Sequence, residues 1–236
     1  MRTSSLKKLL SFFSNKSKSN GQTSRCETQS DGEDETLSNL SLLMRNSMPS
    51  LKKKHLVLDL DETIIHAQLK KDKKHKHKVH FHYNGKTMTY FIAVRPGLIE
   101  FLEEMQKYYV LNVYTCSDIA YAEAILTKIG ARSYFQKLFT RIDCKKGKDR
   151  VLSKDLSVVG IDLCDVILID DLDRHVDDNK ANSLRISEFV GGKLDEELKR
   201  YARFLKKVAF CQDVRSISEK FQSFQEGKQF VFESDF

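Results

Sequence analysis

Three short, almost wholly apolar runs punctuate the chain: residues 55–60 (HLVLDL), 109–114 (YVLNVY) and 166–169 (VILI). Each has the length of a strand and lacks a polar face, as expected for strands buried on both sides of a mostly parallel sheet. Between them the apolar spacing changes to three and four. Pro96 precedes Leu98, Phe101, Leu102 and Met105, and Asp118 precedes Ala122, Ile125, Leu126 and Ile129, which end at Gly130. These patterns predict two amphipathic helices, the first with proline near its first turn, the second with an aspartate cap and a C-terminal glycine. Further helices are predicted over 194–208 and 214–221. Strands alternating with helices define an α/β architecture with a Rossmann-like parallel sheet and helices on both faces. Residues 79–94 instead alternate around Asn84-Gly85, the signature of an inserted β-hairpin.

Outside this region the pattern fades. Residues 1–50 are dominated by Ser, Asn, Thr and charge, with acidic residues at Asp31, Glu33, Asp34 and Glu35. The expected organisation is a disordered basic and polar tail over 1–50, a folded domain over 51–225 and a short tail over 226–236. Residues 1–26 contain no Asp or Glu, a composition like that of a mitochondrial transit peptide. Leu6, Leu9, Leu10, Phe12 and Phe13 could equally line a short basic helix that touches a membrane or a partner. No apolar run approaches the ~20 residues of a transmembrane helix.

The polar groups at the strand ends change the picture most. Asp59, Asp61 and Thr63 follow the first run, Thr115 and Ser117 the second, Asp170 and Asp171 the third. In an open parallel sheet such ends face one way, so groups more than 100 residues apart converge on one crevice. A lone Asp after a strand is usually a cap or a turn residue. Three such clusters are poorly explained that way. Carboxylates crowded together demand a cation, and oxygen-only ligands point to Mg²⁺. Asp59 and Asp61, two residues apart on an extended segment, project to one side, so one can attack phosphorus while the other handles the leaving group's proton.

The remaining composition narrows the partners. A net charge of +7 and a pI near 9.0 favour an acidic partner, and six lysines between 70 and 78 could steer one, although a solvated loop explains them as well. Five cysteines, Cys26, Cys116, Cys144, Cys164 and Cys211, contain no CxxC pair and suggest neither a disulfide framework nor zinc. His75, His77, His80 and His82 lack a fixed ligand spacing and read as exposed hairpin residues. No helix-turn-helix, zinc or stacking motif suggests direct binding of nucleic acid.

DLDETIIH at 59–66, VRPG at 94–97, VYTCS at 113–117, SKDLS at 153–157 and ILIDD at 167–171 together resemble the small C-terminal-domain phosphatases of the haloacid dehalogenase superfamily. The resemblance runs from about residue 52 to 221. It implies a Mg²⁺-dependent protein serine/threonine phosphatase with an aspartyl-phosphate intermediate. Asp59 would be the nucleophile and a metal ligand, and Asp61 the acid/base whose backbone carbonyl also meets the metal. Thr63, Thr115, Arg141 and Lys154 would lie on the phosphate side. Asp171 would be a direct magnesium ligand with Asp170 in support. One departure is visible: this pair is Asp-Asp where the small phosphatases usually carry Asp-Asn.

The segments between the motifs leave no room for a large cap domain, which implies a macromolecular substrate. By resemblance this is the phosphorylated C-terminal tail of RNA polymerase II, or another nuclear phosphoprotein, and the compartment the nucleus, with cytoplasm or mitochondrion as alternatives. A non-catalytic relative in the mitochondrial import machinery is the rival reading, opposed by the intact DxDxT. A two-component receiver domain is excluded by chain order, since its lysine follows the other motifs whereas Lys154 precedes Asp170.

Overall fold

The structure, a computed structural model, describes residues 52–146, 152–217, 220 and 223–224. The expectations for 1–50 and 226–236 lie outside these residues. A five-stranded sheet forms the centre, with strand order β10-β9-β1-β5-β6 and every pairing parallel. Its strands are β1 (Lys54–Leu58), β5 (Tyr109–Tyr114), β6 (Lys137–Phe139), β9 (Val166–Asp170) and β10 (Ser183–Arg185). The chain builds outward from β1 through β5 to β6, then returns to the other side of β1 for β9 and β10. The switch point of the sheet therefore lies between β1 and β9, next to Asp59.

Alternation along β1 divides the core. Leu56 and Leu58 join one apolar cluster with α1 (Leu98–Met105), α2 (Ile119–Lys128) and α4 (Glu197–Val208), while Val57 joins a second cluster with Tyr114, Val166 and Leu168. Helical cover on that second side is short, consisting of 3₁₀ turns at Leu156–Val159 and Leu163–Asp165. Helix α1 buries Leu98, Phe101, Leu102 and Met105, the predicted stripe, and starts from Gly97 at φ 75°. Asp118 caps α2 by accepting from the Ala120 amide. Helix α4 begins at Glu197 and not at 194. Asp195 accepts from the Glu197 amide at 3.1 Å and pairs with Arg95, whereas Leu194 is exposed. Of the predicted helix over 214–221, Val214–Ile217 form a 3₁₀ turn and Lys220 is α-helical.

The insertion is larger than a hairpin. β3 (His77–Tyr83) and β4 (Lys86–Val94) pair around Asn84-Gly85, both with positive φ as a two-residue turn requires, and β2 (Ile65–Gln68) pairs with the other edge of β4. This antiparallel sheet, order β2-β4-β3, leaves the main sheet just after β1 and returns at α1. Further described elements are a ribbon of β7 (Lys145–Lys146) and β8 (Leu152–Ser153) and a short helix α3 (Asp173–Asp177). His75 departs from expectation: it is buried, with Nδ1 facing Asp72 and the Gln68 amide and its ring 5.1 Å from that of His66. Its neighbours in the short, polar segment before β3 are exposed, and the Lys74 and His75 amides both donate to Asp72.

Candidate active site

Backbone hydrogen bonds carry each strand into the crevice. The Asp59 amide donates to the Ile169 carbonyl at 3.0 Å, and the Thr115 amide to the Phe139 carbonyl at 2.9 Å. Asp59, Thr115 and Asp170 therefore sit at the carboxyl ends of β1, β5 and β9, and all three are buried.

Lys154 joins them from the loop after β8. It is 1% exposed, its Nζ donating to Asp59 Oδ1 at 2.5 Å and to Asp170 Oδ2 at 2.6 Å. A buried ammonium is tolerable only with such partners, and these carboxylates outweigh burial in raising its pKa. His175, on α3, faces the same Asp170 oxygen through Nδ1 at 3.0 Å. Although burial pushes Asp170 up, Lys154 and His175 hold it at about 2. Burial works against the His175 cation, but Asp170 and then Cys116 lift it to about 9. Asp59 goes the other way: burial, with help from the Asp170 charge, pushes it well above the usual carboxylate range despite Lys154.

The two carboxylates at the end of β1 occupy different settings. Asp61 Oδ2 accepts from Ser117 Oγ at 2.9 Å and Oδ1 from the Tyr121 hydroxyl. Burial raises its pKa, and those two hydroxyls oppose the rise. Asp61 lines a cleft of about 290 Å³ with Phe81, Met88 and Tyr90 of the inserted sheet, Tyr121 of α2, and Arg141. Arg141 is exposed, and its amide donates to the Ser117 carbonyl at 2.9 Å, tying the 3₁₀ turn Arg141–Asp143 to the end of β5.

Carboxylate oxygens of Asp59, Asp170 and Asp171 lie within 4.8 Å of one another. Burial and the Asp170 charge raise the Asp171 pKa. Three buried acids around one lysine, with two of them pushed up, form a donor set that suits a hard cation, and all-oxygen ligation fits Mg²⁺. The Asp61 carboxylate is not part of this group, being engaged by Ser117 and Tyr121. Thr63 Oγ1 donates to Asp171 Oδ1 at 3.1 Å, so its hydroxyl orients a ligand candidate. Thr115 is buried, and its Oγ1 accepts from the Ser117 amide at 3.1 Å.

Sequence reading missed Tyr121 and His175. Tyr121 sits three residues into α2 and blends with its apolar face. His175 lies in a polar stretch without periodicity, although its position five residues after Asp170 is the one available signal.

The geometry defines an α/β chain with buried aspartates gathered around a lysine at the carboxyl ends of a parallel sheet. The chain belongs to the NLI interacting factor-like phosphatase family, whose model matches residues 54–215. It is 30% identical over 196 residues to CTD nuclear envelope phosphatase 1 of Xenopus tropicalis, covering 75% of this chain and 76% of that protein. Nuclear envelope morphology protein 1 of Saccharomyces cerevisiae is 30% identical over 194 residues, but the match spans only 44% of its length. Among solved structures, Fcp1, an essential RNA polymerase II CTD phosphatase, superposes with a TM-score of 0.55 at 22% identity, over 82% of this chain and 70% of that one, a likeness of fold. Among the described residues no helix is long and apolar enough to cross a membrane.

Proposed function

We propose that the chain is a Mg²⁺-dependent protein serine/threonine phosphatase that works through an aspartyl phosphate on Asp59. The observation that carries this reading is the pair at the end of β1. Asp59 faces Lys154 and the acidic group, while Asp61 is held by two hydroxyls at the wall of an open cleft.

In the first step an Asp59 oxygen attacks phosphorus, the bond to the seryl oxygen breaks, and Asp61 delivers a proton to that oxygen. In the second, Asp61 takes a proton from water as the water oxygen attacks phosphorus, and the bond to Asp59 breaks. Inorganic phosphate leaves and both aspartates return to their starting state. Lys154 keeps Asp59 oriented and neutralises charge beside it, and Thr115 and Arg141 flank the phosphate side. Bound Mg²⁺ would be held by Asp59, Asp170 and Asp171, with the Asp61 carbonyl in reach by resemblance, and would supply charge neutralisation between nucleophile and phosphate.

The cleft is open at the hairpin, which favours a protein chain over a sealed metabolite. The relatives' names place them at the nuclear envelope, and we assign this chain a nuclear or nuclear-envelope phosphoprotein. The RNA polymerase II tail is the first peptide to try, and residues 70–78 would steer acidic substrates. The test is phosphate release from an aryl phosphate and from a phosphoserine heptad peptide, with Mg²⁺ or EDTA, for wild type and Asp59→Asn. Metal-dependent release abolished by the substitution is expected. No release from a folded, Mg²⁺-binding protein would favour a non-catalytic binding module instead.

A further inference from the structure

Cys116 and Cys144 are 28 residues apart in sequence, yet their sulfurs lie 3.5 Å apart. Both are free thiols and half-buried, so a small oxidant can reach them. Cys116 directly follows Thr115 at the end of β5, and Cys144 directly follows the turn that carries Arg141. Cys144 Sγ also lies 3.6 Å from the Thr140 carbonyl oxygen and 3.8 Å from that of Thr115. Cys116 Sγ is 3.8 Å from His175 Nε2.

We propose that Cys116 and Cys144 form a reversible disulfide on exposure to peroxide and that this modification lowers turnover at the neighbouring site. The sulfurs need to close by only about 1.5 Å to reach bonding distance. The Cys116 thiol and the Lys154 charge pull the Cys144 pKa below its ordinary value against burial, whereas Cys116 is pushed up to about 12 by Cys144 and by burial. Of the two, Cys144 is the thiol better disposed to react first. Its sulfur takes one oxygen of hydrogen peroxide, the O–O bond breaks, and the departing hydroxide gains a proton to become water. The Cys116 sulfur then attacks the sulfenic sulfur, the S–O bond breaks, and the second oxygen leaves as water with the Cys116 proton. Two thiols and one peroxide give one disulfide and two waters, and a dithiol reductant reverses the change.

The consequence follows from what flanks Cys116. Thr115 and Ser117 sit on either side, and Ser117 Oγ holds Asp61 at 2.9 Å. Drawing Cys116 toward Cys144 displaces both, and displacements near 1 Å in such a site cost up to about a hundredfold in rate. The modification site stands on the sulfur geometry alone; its effect on turnover rests on the phosphatase reading.

The full chain is treated with graded hydrogen peroxide, alkylated, digested and mapped by mass spectrometry, with phosphate release measured in parallel. The expected result is a Cys116–Cys144 linked peptide. Its yield should track a ten- to hundredfold loss of turnover, recovered with dithiothreitol and absent in Cys144→Ser. Folded wild type that retains two free thiols, or carries only sulfinic and sulfonic acids, overturns the proposal. A quantitative disulfide with unchanged turnover overturns its regulatory half. A disulfide in a protein without activity even when reduced leaves the modification site standing and removes the phosphatase reading.

Discussion

Replacing Lys154 with methionine removes the one ammonium that lies between two buried carboxylates. Deleting one partner of a buried ion pair costs about 3–5 kcal/mol, because the other charge is left in a poor solvent. Lys154 bonds both Asp59 and Asp170, but His175 still faces Asp170 at 3.0 Å, so the loss falls at the lower end, near ~3 kcal/mol. With a denaturant slope of about 2 kcal/mol per molar, the urea midpoint drops by roughly 1.5 M, followed by circular dichroism in EDTA. Asp59→Asn placed on top of Lys154→Met removes the stranded carboxylate and returns at least half of the loss. Saturating Mg²⁺ at about a hundredfold above its dissociation constant returns about 2.7 kcal/mol to the single variant. A midpoint shift under ~0.5 M, equivalent to about 1 kcal/mol, would refute the argument that Lys154 offsets the buried acids. So would a double variant no more stable than Lys154→Met.

Two other outcomes follow from named contacts. Tyr121→Phe removes one of the two hydroxyls that hold Asp61, so turnover of a phosphoserine peptide falls about tenfold while that of an aryl phosphate, whose leaving group needs little protonation, falls far less. Equal losses on both substrates would count against Asp61 as the proton donor. Asp155 is held at about 2 by Lys145, at 2.6 Å, and by the Ser157 amide. Its folded pKa is depressed, so its contribution is complete above pH ~4 and is lost as pH falls toward ~2. After allowance for screening the contribution is about 1 kcal/mol, and Asp155→Asn should flatten the acid limb of stability by that amount in thermal melts between pH 5 and 2. An unchanged limb would show that the pair is inert.

The central strands were legible because β1, β5 and β9 are buried on both faces and their sequences carry no polar alternation. The polar residues that end them could then be read as one crevice. Strands β6 and β10, three residues each at the sheet edges, and the four-residue β2 give no periodic signal of their own; their partners define them. Lys154 shows the reverse limit. The SKDLS motif marks Lys154 by resemblance, but its burial between Asp59 and Asp170 is visible only in the fold. Arg95 is similar: VRPG marks a motif, but not that its guanidinium is buried against Asp195, Ser187 and the Thr63 carbonyl.

The inserted sheet separates two kinds of inheritance within one chain. The acids at the strand ends are fixed by the packing of the main sheet, so altering them alters the fold's most constrained layer. Phe81, Met88 and Tyr90 come from β3 and β4, which leave that layer after β1 and rejoin it at α1. The tip at Asn84-Gly85 lies in solvent. Lengthening, recolouring or recharging that arm changes which chain can lie in the cleft while leaving the reacting groups in register. A lineage built on this plan can trade one client for another without reinventing its chemistry.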